Sequence, residues 1–123
     1  MSRELWPIER AALELACRAN PAFAASLSEQ IEKCRVTNFR NTGAGFFSDL
    51  EVKTSTKVSS DERAIDCAVA DIEGTKDALG IIAFFEDGRL SLLEGYSMEM
   101  QSTIGTDFEN VQFELAHLSF GSE

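Results

Sequence analysis

Apolar residues recur at helical spacing in the first third of the chain and at alternate positions after it. Residues 7–18 begin with Pro7, which favours a first helical turn, and carry apolar side chains three or four positions apart. Asn20 and Pro21 then predict the N-cap and first turn of a second helix. The apolar stripe of this helix consists of Phe23, Leu27, Ile31 and Cys34. Gln30 falls outside the stripe, and we expect two amphipathic helices facing a core.

From residue 36 the period of the apolar pattern changes to two, which is typical of strands. The predicted strands span residues 36–41, 46–52, 65–72, 79–85, 90–96 and about 111–118. The third alternates so that Cys67 and Val69 lie on one side and Ala68 and Ala70 on the other. Residues 53–63 are polar and predict a mobile loop. This order of elements predicts a single α+β domain over residues 1–123, with two N-terminal helices packed on one face of an antiparallel sheet of five or six strands.

Asp87-Gly88 lies between the fourth and fifth predicted strands and supplies the positive φ angles of a two-residue type I′ turn. A regular hairpin closed by this turn pairs Phe85 with Leu90 and Ile81 with Glu94. The residues that then share one face are Leu79, Ile81, Ala83, Phe85, Leu90, Leu92, Glu94 and Tyr96. Both faces of the hairpin are apolar, which predicts a central position in the sheet. Glu94 is the one carboxylate on a face otherwise patterned for burial.

Glu94 is therefore the most informative polar residue of the sequence. Burial raises the pKa of a carboxyl group unless a cation or hydrogen-bond donors compensate, and such carboxylates are enriched at binding and active sites. Tyr96 shares its predicted face and is placed to hydrogen-bond Glu94 or a ligand, with Arg40 or His117 assisting. The alternative is that the strand leaves the core at Glu94, whose carboxylate is then paired by Arg40, Arg35 or solvent.

His117 is the sole histidine and lies in the last predicted strand. We interpret it as a structural histidine, with a nucleophilic pair to Cys34 or Cys67 as the alternative. The three cysteines, which include Cys17, are widely spaced and form no C-x-x-C motif. This spacing argues against a disulfide framework or a zinc site and favours a reducing cytoplasm. No motif indicates a cofactor or a metal, and we expect neither.

The net charge is strongly negative and unevenly distributed. The chain has 11 Lys and Arg against 21 Asp and Glu, a formal charge of -10. Residues 1–63 hold nine basic and nine acidic side chains, whereas residues 64–123 hold two and twelve. This charge argues against nucleic acid, which requires clustered Lys and Arg, and against anionic membranes. No apolar run approaches the roughly 18 residues of a membrane span, and the first residues lack the apolar region of a signal peptide, so we expect a cytoplasmic protein.

Two segments of the sequence form a pair of motifs, NTGAGFF at residues 41–47 and DGRLSLLEGY at residues 87–96. Together they resemble a family of small uncharacterised bacterial proteins, over most of the chain from the second helix to the last strand. The resemblance implies a bacterial single-domain protein and no particular reaction. It directs attention to the first hairpin turn, which begins at Asn41, and to the strand end that holds Glu94 and Tyr96. The loop at residues 97–110 has no counterpart in the pattern.

Three functions are consistent with these patterns. The first is a binding or regulatory module, such as an inhibitor or immunity-type protein, whose acidic half recognises a basic protein partner. The alternative is a small-ligand-binding protein or enzyme with a pocket around Glu94 and Tyr96. The third is a homodimer built through the sheet. The absence of a catalytic constellation in the sequence favours a protein that is not an enzyme.

Overall fold

A computed structural model of the chain describes residues 2–59, 61–75, 78–98 and 102–117. Its elements in chain order are helix α1 (Pro7–Ala19), a 3₁₀ turn (Pro21–Phe23), helix α2 (Ala24–Glu32) and strands β1 (Cys34–Asn41), β2 (Gly45–Val52), β3 (Ala64–Ile72), β4 (Leu79–Glu86), β5 (Arg89–Ser97) and β6 (Phe113–Ala116). The strands form one antiparallel sheet in the order β1-β2-β5-β4-β3-β6. The predicted α+β architecture, with two helices packed on an antiparallel sheet, is confirmed. In the part of the chain that the structure describes, neither helix has the length and hydrophobicity needed to cross a membrane.

The junction between the helices differs from its prediction in two respects. Asn20 does not cap the second helix with its side chain, because its Nδ2 donates to the Ala16 carbonyl over 2.7 Å and closes the end of α1. The 3₁₀ turn at Pro21–Phe23 separates this residue from α2. Gln30, predicted outside the apolar stripe, is fully buried. Its carboxamide is satisfied inside the core, donating to the Gly88 carbonyl over 2.9 Å and accepting from the Leu90 amide over 2.9 Å.

The turn between β4 and β5 is the predicted type I′ turn. Asp87 has a φ of 53° and Gly88 a φ of 78°, the two positive values that this turn requires. Phe85 pairs with Leu90, also as predicted. Gly88 also lies close to the backbone of Val58. A Cβ at Gly88 would lie 2.9 Å from the Val58 carbonyl oxygen, so a side chain does not fit at this position.

Beyond the turn, the predicted hairpin register is wrong. The pairing shifts between Phe84 and Phe85, where Ser91 forms a β-bulge and donates from its Oγ to the Phe84 carbonyl over 3.3 Å. Glu94 consequently pairs with Ile82 instead of Ile81. Because side chains alternate between the faces, this slip of one residue moves Glu94 and the other residues of β5 after Ser91 to the faces opposite those predicted.

A second bulge changes the faces of β3. The pairing with β4 shifts between Asp66 and Ala68, so Cys67 is the additional residue. Both Cys67 and Ala68 are buried, and Val69 lies outward and partly exposed. The predicted alternation, which placed Cys67 with Val69 and opposite Ala68, is therefore wrong. A regular period of two cannot accommodate an inserted residue.

The two faces of the sheet are covered differently. Ser48 of β2 donates from its Oγ to the Glu9 carboxylate of α1 over 2.6 Å, so its face is the core face that the helices cover. Phe47 and Asp49, its neighbours along β2, project from the opposite face, and cross-strand pairing carries this assignment through the sheet. The side chains of this outer face include Arg40, Phe47, Asp49, Asp66, Val69, Ile82, Phe84, Leu92, Glu94 and Tyr96.

Loop segments also pack on the core face. The Phe108 ring lies 5.0 Å from that of Phe46 between centroids. Residues 53–59 pack beside α2, where the Glu29 carboxylate accepts hydrogen bonds from the hydroxyls of Thr54 and Thr56, each over 2.7 Å. Residues 53–59 of the predicted mobile loop at 53–63 are thus anchored, because the side chains of Thr54 and Thr56 bind α2. Residue 60 of that loop lies outside the described residues.

Candidate functional site

Glu94 lies at the centre of the outer face. Its strand, β5, runs between β2 and β4, where Glu94 pairs with Phe47 on one side and Ile82 on the other. Leu92 and Tyr96 lie two residues before and after it on the same face. All five side chains are partly exposed. The prediction that Glu94 shares a face with Ile81 is wrong because of the Ser91 bulge, but the apolar character of its surroundings is retained.

The carboxylate of Glu94 has no hydrogen-bond or ion-pair partner within the described ranges of the chain. The two arginines proposed as its partners are engaged elsewhere. Arg35 donates from Nε to the Ser2 hydroxyl over 2.8 Å. The Arg40 guanidinium stands over the Phe47 ring, 5.1 Å from its centroid. Arg40 and Glu94 therefore flank the same ring on the outer face, since Phe47 pairs with both.

Tyr96 is positioned by a glycine on the neighbouring strand. Gly80 of β4 pairs with Tyr96, and a Cβ added at Gly80 would lie 2.3 Å from the Tyr96 Cζ. The aromatic ring thus lies against the backbone of β4, in the space that a side chain at Gly80 would fill. Tyr96 is partly exposed, so it offers aromatic surface on the face that holds Glu94.

Asn41 has contacts that maintain the first hairpin turn. Its Nδ2 donates to the Thr103 carbonyl over 2.8 Å, and its Oδ1 accepts from the Thr103 hydroxyl over 2.8 Å and from the Gly43 amide over 3.0 Å. Gly43 has a φ of 87°, which favours glycine. Asn41 thereby joins the β1–β2 turn to the loop that follows β5, and the structure does not bring it together with Glu94.

His117 follows β6 at one edge of the sheet, and Cys34 lies in β1 at the other edge. The structure therefore separates one of the two nucleophile pairs considered. Cys67 lies in β3, beside β6, but is completely buried. Burial raises the pKa of the thiols of Cys34 and Cys67 to about 12, so both remain protonated at neutral pH and lack the thiolate that a nucleophile needs.

Glu9 is a buried carboxylate that the apolar pattern of the sequence does not indicate. It is fully buried and accepts hydrogen bonds from the Arg3 guanidinium over 2.8 and 3.0 Å, from the Trp6 amide over 2.7 Å and from the Ser48 hydroxyl over 2.6 Å. Its position in the sequence could have indicated this role. Glu9 lies three residues after Trp6, in the first turn of α1, where a glutamate caps the helix N-terminus. All of these donors belong to the chain itself, so Glu9 has a structural role.

A second acidic region lies at the β3–β6 edge of the sheet. Asp71 and Glu114 pair directly across the two strands, an arrangement in which like charges repel. Together with Glu73 they line a shallow groove of about 310 Å³. A neighbouring depression of about 420 Å³ lies between residues 73–75 and the segment 102–111. Both depressions are lined by residues other than Glu94 and Tyr96.

The outer face and the β3–β6 edge are therefore the two candidate surfaces. In the described ranges, no three His, Cys, Asp or Glu side chains converge closely enough to hold a metal ion. Comparison of the chain with models of known protein families, with curated proteins and with solved structures finds no match. The resemblance to small bacterial proteins therefore stays a prediction.

Proposed function

We propose that the protein is a small acidic binding module that recognises a basic protein partner through the outer face of its sheet. The observation that carries this proposal is the composition of that face. Phe47, Ile82, Phe84, Leu92 and Tyr96 form a partly exposed apolar surface on the side of the sheet opposite the helices. Contiguous apolar surface of this kind is typical of interaction sites.

Carboxylates lie within and beside this apolar surface. Glu94 lies at its centre, and Asp49 and Asp66 project from the same face on either side of it, with Arg40 as one basic residue of that face. Apolar side chains bordered by charged ones are usual in a protein interface. The carboxylates favour a positively charged partner and disfavour a second copy of this chain, which has a net charge of -10.

The pocket hypothesis receives less support from the geometry. Glu94 and Tyr96 lie on a sheet face, and the described depressions at the β3–β6 edge are lined by other residues. A broad face with apolar and acidic components suits a protein surface better than a small molecule, which is usually bound in a concave site.

Calorimetric titration with synthetic peptides tests the proposal. One peptide alternates arginine with leucine, and a second of equal length alternates arginine with serine. We expect the first to bind at least about tenfold more tightly, because each buried leucine contributes roughly 1.5 to 3 kcal/mol. We also expect the affinity to fall as the salt concentration rises. Equal affinities for the two peptides, or binding that salt does not weaken, would contradict the proposal.

A matched pair of variants localises the binding. Ile82→Thr removes apolar surface from the outer face while it retains a β-branched side chain in the strand. Ile104→Thr makes the same change at an isoleucine that is 82% exposed in the loop after β5. The proposal predicts weaker binding of the arginine–leucine peptide by Ile82→Thr and unchanged binding by Ile104→Thr.

A further inference from the structure

The position of Glu94 indicates which side chain of the partner binds at the centre of the outer face. Glu94 is a partly buried carboxylate between Phe47 and Ile82, with Tyr96 beside it, and it has no partner in the described chain. Removing a carboxylate from water is unfavourable unless a cation or hydrogen-bond donors replace the water. Closure of an apolar partner surface over this face would remove that water, so the partner must itself supply a cation at Glu94.

Other carboxylates of the protein already have such groups. Glu9 is bound by Arg3 over 2.8 and 3.0 Å, and Asp87 accepts a hydrogen bond from Lys57 over 3.0 Å. Glu94 differs because Arg40, a basic residue of the same face, lies over the Phe47 ring, with its Cζ 5.1 Å from the ring centroid. This contact within the chain has the distance of a cation–π interaction, the same kind of contact that an arginine of the partner would make with Tyr96.

We propose that Glu94 and the exposed part of the Tyr96 ring together bind an arginine side chain of the basic partner. This inference rests on the proposed function. The guanidinium donates two parallel hydrogen bonds to the Glu94 carboxylate while its plane stacks on the ring of Tyr96, which packs against the β4 backbone at Gly80. A lysine ammonium is a compact charge that cannot combine a bidentate hydrogen bond with planar stacking, so the site selects arginine over lysine.

The test compares the arginine–leucine peptide with a lysine–leucine peptide of the same length. We expect the native protein to bind the arginine peptide more tightly at equal salt. Glu94→Gln should weaken arginine binding by about tenfold or more, because a hydrogen-bonded charge is lost, and should remove the preference for arginine. Tyr96→Leu should also remove the preference while it retains the charge of Glu94.

Asp66→Asn is the matched control, because Asp66 lies on the same face across Ile82 from Glu94 and the substitution removes the same charge. We expect it to weaken binding less than about threefold and to retain the preference for arginine.

Thermal unfolding confirms that each variant is folded, and Tyr96→Leu tests the site independently if Glu94→Gln does not fold. If the native protein binds both peptides equally, and Glu94→Gln behaves as Asp66→Asn does, the arginine site is refuted while the proposed function stands. If neither peptide binds, both are refuted.

Discussion

Glu9 and Glu94 are both glutamates of packed elements, yet their surroundings give them different roles. Glu9 is fully buried and its oxygens are occupied by donors from Arg3, Trp6 and Ser48. Glu94 is partly exposed among apolar side chains and has no partner in the described ranges. A carboxylate whose donors are all internal stabilises the fold, whereas one with apolar neighbours and no donor is available to a partner.

The contribution of Glu9 to stability is measured through Ser48→Ala. This substitution removes one hydrogen bond to a buried carboxylate and should lower the free energy of unfolding by about 1.5 to 3 kcal/mol. Ser28→Ala, at an exposed position of α2, is the control and should change it by no more than about 0.5 kcal/mol. Urea unfolding of both variants measures the difference. Equal stabilities of the two variants would show that the Ser48 hydroxyl is not needed by Glu9.

At the scale of the elements, the sequence predicts both helices and all six strands, because each has a clear apolar period and the Asp87-Gly88 turn has specific chemistry. The bulges at Ser91 and Cys67 were not predictable from the residues present. A bulge has no distinctive composition in the sequence, and each one reverses the faces that follow it. This is why Glu94 was predicted on the wrong face although its strand was predicted correctly.

The anchoring of residues 53–59 to α2 gives a prediction at the same scale. Hydrogen bonds from Thr54 and then Thr56 lower the pKa of Glu29 below its ordinary value of 4.5. The folded protein therefore favours the ionised form of Glu29. The resulting stabilisation of the fold is present above pH 4.5 and is lost as the pH falls through the lowered pKa. Replacing both threonines with valine should raise the pKa of Glu29 toward 4.5.

Side-chain carbon shifts of Glu29, followed by nuclear magnetic resonance during a pH titration, measure this change. Ser55→Ala is the control, since Ser55 is exposed and lies between the two threonines. The control should leave the pKa of Glu29 lowered. An unchanged pKa in the double valine variant would show that the two hydroxyls do not hold this carboxylate.

For the whole molecule, the order of the strands in the sheet determines which residues lie together on the outer face. The acidic second half of the sequence supplies β3 to β6. Strand β2, from the first half, pairs with β5 and brings Phe47 and Asp49 next to Glu94 and Leu92. That neighbourhood depends on strands distant in the sequence, so the sequence alone indicated Glu94 and Tyr96 as candidates without revealing the surface around them. Helices cover one face of the sheet, and we propose that a basic protein covers the other.

The most direct test of this central claim is a titration of the isotopically labelled protein with the arginine–leucine peptide, followed through its backbone amide resonances. We predict that the largest shifts occur in the central parts of β2, β5 and β4, around Phe47, Glu94 and Ile82. Shifts confined to the acidic edge around Asp71, Glu73 and Glu114, or spread evenly over every acidic position, would contradict the claim that the outer face is the binding surface.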